Sequence, residues 1–328
     1  MNWLTHLRRV LNPAWYHGHG QKRPFFEGWY YKLIDARGQN RYAIIPGVFL
    51  SQNPHAFIQV LNGRNGTATY HQFPLSDFWA AEQAFTVRIG PNQFNLQTIS
   101  LDLQRPEQSL QGELHFDALT PWPVSVTAPG IMGWYAWVPT LECYHGVLSL
   151  DHTIAGSLTI DGERVDFDQG RGYIEKDWGR SFPSAWVWMQ TNHFEQPGTS
   201  LTASIAIIPW RRTAFRGFIV GFWHQGQLHR FATYTGAQVE KLLVTDETAV
   251  WILRNRTHRL SLLAHLGSEE AFGLLKGPDT VEMGKRVAES LTAEVEVQLT
   301  HLGQNRVIFS GRGLYAGLEV HNAAALQA

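Results

Sequence analysis

From Phe25 onward the chain is written in short runs whose apolar and polar residues alternate, and a period of two dictates strands rather than helices. FFEGWYYKLI puts Glu27, Trp29, Tyr31 and Leu33 on one face, with Tyr30 and Lys32 on the other. RYAIIPGVFL, HAFIQVL, TATYHQF, AFTVRI, QFNLQTISLDL and SLQGELHF follow, parted by turn signals such as NGRNG and GPN. Runs this short and regular predict an all-β, antiparallel sandwich or barrel. Residues 2–11 follow another period: Trp3, Leu4, Leu7 and Leu11 recur at helical spacing until Pro13 ends the run. A helix of that length with Arg8 and Arg9 caps a domain more often than it grazes a membrane.

The second half repeats the first. WYYKLID, a turn and YAIIPG (Trp29–Gly47) parallel WVWMQTN, a longer turn and SIAIIPW (Trp186–Trp210). HQFPLSDFWAAEQAF parallels HRFATYTGAQVEKLL, and SLQGELHFDAL parallels LTAEVEVQLTHL. The repeat predicts two similar β-domains, 1–168 (with the short helix) and 169–328, with a ligand cleft at or near their interface. Residues Gly267–Ser290 show no alternation, and a loop that long predicts a lid over the cleft.

Charge and missing motifs narrow the function. Lys+Arg 27 against Asp+Glu 28 leaves no field to attract nucleic acid. Cys143 is the single cysteine, so neither an internal disulfide nor a Cys-based zinc site is expected. No run approaches the apolar length of a membrane span, and the N-terminus lacks a signal-peptide core. A soluble protein follows, cytoplasmic or membrane-peripheral, with at most weak membrane contact. G-x-S-x-G, P-loop and HExxH motifs are absent. His17-Gly18-His19 could hold a metal through two imidazoles, but a lone HxH in a Gly-rich loop reads as solvated loop, so no metal is expected.

What remains is carboxylates among aromatics in a chain with 13 Trp. Glu27 precedes Trp29-Tyr30, Glu142 precedes Tyr144-His145, and Glu175 and Asp177 precede Trp178. The stretch Gly170–Phe194 concentrates them: turn glycines, then Glu175, Lys176, Asp177, Trp178 and Arg180, a proline break, and a strand carrying Trp186, Trp188 and Gln190 on one face. A carboxyl buried against indoles keeps its proton more readily, and indole faces stabilise a neighbouring cation. Such a set suits protonation of an apolar substrate. Equally, Lys32, Lys176 and Arg180 could neutralise these acids in structural pairs.

KRPFFEGWYYKL (Lys22–Leu33) and YIEKDWGRSFPSAWVWMQTNHF (Tyr173–Phe194) resemble two hallmark blocks of the tocopherol cyclase family, and Leu274–Leu299 resembles a weaker third. The resemblance implies two lipocalin-like β-barrels, related to the carotenoid hydratase-like fold. It implies a cycloisomerase of the intramolecular lyase class: the phenol of a prenylated benzoquinol adds across the nearest prenyl alkene, as in vitamin E biosynthesis. No redox cofactor and no metal are implied, and the partner is an apolar prenylquinol or related isoprenoid. By position, Glu27, Trp29 and Tyr30 match the first block, while Glu175, Lys176, Trp178, Trp186, Trp188 and Gln190 match the second. Glu142 matches an acid before the central strand, whereas His145 stands one place off the family's His. Asp177 replaces an Asn of the plant enzymes, whose transit peptide and long insertion are not seen here.

The proton donor is therefore expected to be Glu175 or Glu27, with Asp177 and Lys176 beside them. Trp29, Tyr30, Trp178, Trp186, Trp188, Gln190, Glu142 and His145 are expected around the substrate. Two other readings stay open on the residues alone: a lipocalin-like carrier with catalytically silent acids, or an isoprenoid alkene hydratase using the same protonation.

Overall fold

In the computed structural model, which describes residues 3–267 and 271–327, the alternating runs are strands. Helix α1 (Trp3–Val10) comes first. One antiparallel sheet then contains β1 (Phe25–Ile34), β2 (Arg41–Leu50), β3 (His55–Asn62), β4 (Thr67–Pro74), β5 (Phe78–Ala80) and β6 (Thr86–Ile89). It continues with β7 (Asn92–Asn95), β8 (Thr98–Arg105), β9 (Gln108–Asp117), β10 (Cys143–Ile160), β11 (Glu163–Asp166) and β12 (Gly170–Gly179). A second sheet contains β13 (Trp186–Thr191), β14 (Ser200–Trp210), β15 (Thr213–His224), β16 (Gln227–Ala232) and β17 (Gln238–Val244). Its remaining strands are β18 (Thr248–Arg254), β19 (His258–His265), β20 (Phe272–Gly277), β21 (Lys285–His301) and β22 (Arg306–His321), before α2 (Ala323–Gln327).

The strand orders account for the sequence repeat. The first sheet runs β4-β3-β2-β1-β12-β10-β9-β8-β7-β6-β5, with β11 beside β10. The second runs β16-β15-β14-β13-β22-β21-β19-β18-β17, with β20 beside β21. In both, a meander leads to one edge, a short 3₁₀ turn starts the opposite edge, and the last long strand returns to pair with the first. That turn is Leu75–Asp77 in one copy and Thr233–Thr235 in the other. The connections, 75–77 in the first sheet and 233–237 in the second, reach only roughly 10 and 17 Å, so each sheet must curl until its edges approach. Among the described residues no ladder joins β4 to β5 or β16 to β17. Each is a lipocalin-like barrel with one seam left unzipped.

The chain divides into two compact units: Met1–Asn62, Thr67–Phe182 and Leu274–Arg286 in one, and Gly63–Gly66, Pro183–Gly273 and Val287–Ala328 in the other. β12 is thus the closing strand of the first sheet, and the chain passes to the second after Phe182 rather than at residue 168. The proline break lies between the copies: the β12 ladders end at Gly179, and Pro183, which has no N–H to donate, stands at the start of the next segment.

Each unit has its own core. Trp29, Tyr31 and Leu33 of β1 and Ile174 and Trp178 of β12 point into the first, with Phe85, Phe94 and Phe116. Val187 and Met189 of β13 point into the second, with Phe222, Trp251 and Leu318. The expected lid differs from the structure. Part of it, 268–270, lies outside the described residues, but 272–277 form β20. The end of β20 and the residues after it belong to the first unit: Gln59 Nε2 donates to the Lys276 carbonyl at 2.9 Å, Ser51 Oγ to the Thr280 carbonyl at 2.7 Å, and Phe182 N–H to the Pro278 carbonyl at 3.1 Å.

Candidate functional site

The pairing of β1 with β12 settles which candidates share a face. Glu27 lies opposite Trp178, Trp29 opposite Lys176 and Tyr31 opposite Ile174, all on the core side. Gly28 lies opposite Asp177, Tyr30 opposite Glu175 and Lys32 opposite Tyr173, on the other side. Residues directly across a ladder point the same way. The thickness of one sheet therefore separates the two groups of titratable residues.

On the core side Lys176 is the hub. Its Nζ is bonded to Glu27 Oε1, donates to the Trp15 carbonyl at 2.7 Å and lies 3.2 Å from His17 Nδ1. The same nitrogen sits 4.8 Å from the Trp178 ring centroid and 5.2 Å from that of Trp29. Both Lys176 and Glu27 are fully buried. Burial by itself would raise the Glu27 pKa, but Lys176 and His17 outweigh it and hold the carboxyl below its ordinary range. Burial pulls Lys176 down, against the pull of Glu27. Glu27 also accepts the His17 N–H at 2.8 Å. The indoles expected to shelter a substrate cation shelter this ammonium. Gly146, across the ladder from Lys176, has the Trp178 ring close against it: a Cβ there would meet that ring at 3.1 Å.

His17 is the residue that sequence reasoning missed. Its HxH motif reads as solvated loop, yet it is buried, stacked on Trp178 at 4.2 Å with a 10° interplanar angle. Burial and the neighbouring Lys176 push its pKa down despite Glu27. Tyr144 stacks on the same indole at 5.5 Å. Burial pushes the Tyr144 phenol up to about 12, and its hydroxyl donates to the Val138 carbonyl at 2.5 Å.

On the opposite side, β12 presents Tyr173, Glu175 and Asp177 in alternation, and β10 brings His145 between the two acids. His145 Nδ1 lies 2.8 Å from Asp177 Oδ1, and Nε2 lies 3.5 Å from Glu175 Oε2 without a hydrogen-bond partner. The Tyr173 hydroxyl donates to Glu175 Oε2 at 2.5 Å. Burial disfavours a charged imidazole, but Glu175 and Asp177 more than reverse that and push His145 up to about 9. An imidazolium held between two carboxylates is the protonated form at neutral pH. Asp177, with its side chain 30% exposed, opens this cluster to solvent. The three residues offer ligand atoms within 4.8 Å of one another, a spacing a divalent cation could also bridge.

The other candidates are dispersed. Glu142 accepts from Ser181 Oγ at 2.6 Å, tying the segment that leads into β10 to the turn after β12. Arg180, considered as a neutralising partner, is exposed. Trp186, Trp188 and Gln190 lie in the second unit on the side of β13 away from its core. There Trp186 Nε1 donates to Glu319 Oε2 at 2.7 Å and the ring stacks on His321 at 4.3 Å. Tyr30 shares a face with Glu175, whereas Trp29 and Trp178 face the other way.

Solved structures with this fold include CghA in complex with Sch210972, which aligns over 91% of this chain and 88% of its own with a TM-score of 0.55 at 13% identity. Kievitone hydratase from Nectria haematococca aligns over 94% and 93% with a TM-score of 0.50 at 14% identity. At these identities the likeness is one of fold. Among curated proteins, the chloroplastic tocopherol cyclase of Zea mays is 29% identical over 163 residues, 46% of this chain and 32% of that protein. The probable chloroplastic tocopherol cyclase of Oryza sativa subsp. japonica is 23% identical over 279 residues, 67% of this chain and 58% of that protein. The chain thus spans about a third and just over half of these two relatives. The tocopherol cyclase-like family profile matches residues 104–322, more than half of the 328, and so the chain belongs to the tocopherol cyclase-like family.

Proposed function

We propose that the protein is a cycloisomerase that closes a chromanol-type ring on a prenylated quinol, with His145, Glu175 and Asp177 handling the proton. The carrying observation is the His145 ring wedged between the Asp177 and Glu175 carboxylates, with no hydrogen-bond partner on its Nε2. A proton held on a group without an acceptor is available to an incoming alkene. Protonation forms a C–H bond at the less substituted carbon and leaves a tertiary cation. The phenol oxygen then closes the C–O bond, and its proton passes to Glu175 or Asp177 and back to His145. One π bond and one O–H bond break while one C–H and one C–O bond form, so the reaction is an isomerisation without net gain or loss of a proton. Family membership supports this reading, and Glu27, held ionised by Lys176, is assigned a structural role.

The test is anaerobic incubation of the purified protein with 2,3-dimethyl-6-phytyl-1,4-benzoquinol. Chromanol should form with wild type and fall by about 10²–10⁴-fold in Glu175→Gln and in His145→Gln, the usual span for losing a positioned acid or base. A tertiary alcohol carrying ¹⁸O from labelled water would mean hydration instead. Saturable quinol binding without turnover would mean a carrier. Undiminished turnover in both variants would remove the cluster from the chemistry.

A further inference from the structure

The link from β9 to β10, residues 118–142, carries no charge before its last residue, Glu142, yet it holds three tryptophans, a tyrosine and three valines. Trp122, Ile131 and Leu141 are buried and anchor it. Its tip faces outward: Val126 is 66% exposed, Trp134 45% and Val124 42%. Surface loops are ordinarily polar, because an exposed apolar side chain gains nothing from folding. The tip is also built rather than frayed. Ser125 and Ala128 exchange backbone hydrogen bonds at 3.1 and 3.2 Å, and Trp137 Nε1 donates to the Val126 carbonyl at 2.9 Å. The rings of Trp134 and Tyr135 stack at 4.1 Å.

A basic segment adjoins this apolar tip. Gly130 lies against Pro13, close enough that a Cβ would sit 3.5 Å from its Cγ. Pro13 follows α1, whose last turn carries Arg8 and Arg9. Residues 1–26 contain Arg8, Arg9, Lys22 and Arg23 and no Asp or Glu. Indoles at headgroup depth, an aliphatic tip at the acyl boundary and nearby cations are the combination that holds proteins on anionic bilayers. We propose that this face docks on an anionic lipid bilayer, with Val124, Val126 and Trp134 entering the headgroup–acyl boundary and Arg8 lying near the lipid phosphates. A second copy of the chain fits less well, since symmetric pairing would bring the two basic segments together. The inference uses none of the proton-handling residues and holds whatever reaction the protein catalyses.

The test is flotation of the purified full chain with vesicles of phosphatidylcholine alone or mixed with phosphatidylglycerol. Wild type should float with the mixed vesicles and less with the neutral ones. Val126→Asp/Trp134→Ser should lose vesicle binding while melting as wild type does, since both positions are exposed. Arg8→Gln should weaken binding to mixed vesicles about fivefold, the effect of one cation near an anionic surface, and leave neutral vesicles unchanged. The proposal falls if wild type floats with neither vesicle, or if the double variant floats as well as wild type. It falls equally if wild type self-associates through the tip without binding vesicles.

Discussion

Replacing Lys176 with Met tests whether the core-side cluster anchors the first barrel. Met retains most of the apolar stem beside Trp29 and Trp178 and removes the nitrogen, with its bonds to Glu27 and the Trp15 carbonyl. Glu27 is then a fully buried carboxylate left with the His17 N–H. Stripping one partner from a buried pair costs about 3–5 kcal/mol. For a unit of this size that lowers the melting temperature by roughly 6–20 °C.

The pH dependence supplies the sharper half of this test. In wild type the Glu27 pKa is depressed, so its contribution is present above the unfolded value and lost as pH falls through the folded one. In Lys176→Met burial acts without the ammonium, and the folded value rises above the unfolded ~4.3. A raised carboxyl contributes fully below its unfolded value and loses that contribution as pH climbs. The gap between variant and wild type should therefore be wide at neutral pH and narrow near about pH 4. Glu27→Gln/Lys176→Met, which removes both charges and keeps an acceptor for His17, should recover part of the loss. Melts followed by circular dichroism decide the matter. A Lys176→Met variant within about 1 °C of wild type at neutral pH, or a gap equally wide in acid, refutes the reasoning.

His145, pushed up to about 9, makes two further predictions. Turnover should hold through neutral pH and decline as pH passes about 9, read from a pH–rate profile. A raised histidine also contributes stability that is complete below its unfolded ~6.5 and lost as pH rises through the folded value, so wild type and His145→Gln should converge in melting temperature at high pH. Gly172→Ala should destabilise by about 1–3 kcal/mol, because its Cβ would collide with His152 Nε2. The His152 ring cannot readily yield, being buried and packed 4.7 Å from the Phe116 ring. Urea melts of Gly172→Ala, His152→Ala and the double variant should show strong coupling, and simple additivity would discard that explanation.

The two-barrel architecture was legible because it is written in periodicity and repetition. FFEGWYYKLI and WVWMQT each open a copy, and the HQFPLSDF and HRFATYT segments mark the matching 3₁₀ turns between opposite sheet edges. The boundary at residue 168 was misjudged for a physical reason. β12 pairs with a strand far away in sequence, and nothing local to GRGYIEKDWG says whether it ends one sheet or begins another. The missing strand β20 has a similar cause, since FGLLKG lacks the alternation that marks the others. His17 was out of reach as well: its environment is made by Lys176 and Trp178, more than a hundred residues away.

Alternation within GRGYIEKDWG puts Glu175 and Asp177 on one face of β12, with Lys176 and Trp178 on the other. What it left open was which face looks into the core. That choice belongs to the neighbour: Trp29, Tyr31 and Leu33 turn the β1 face carrying Glu27 inward, and the ladder then turns Lys176 and Trp178 inward with it. Glu27 and Glu175 thereby meet different physics although both are buried. Glu27 lies where water is excluded and a lysine is supplied, so its proton is withheld and its charge is locked. Glu175 lies where a histidine shares its field and Asp177 gives access to solvent, so a proton can reside in the cluster and leave it. A one-residue slip of β12 against β1 would exchange these environments and bury Asp177 beside Glu27 without a cation. The Glu27–Lys176 pair therefore also locks the strand register that places Glu175 and Asp177 around His145.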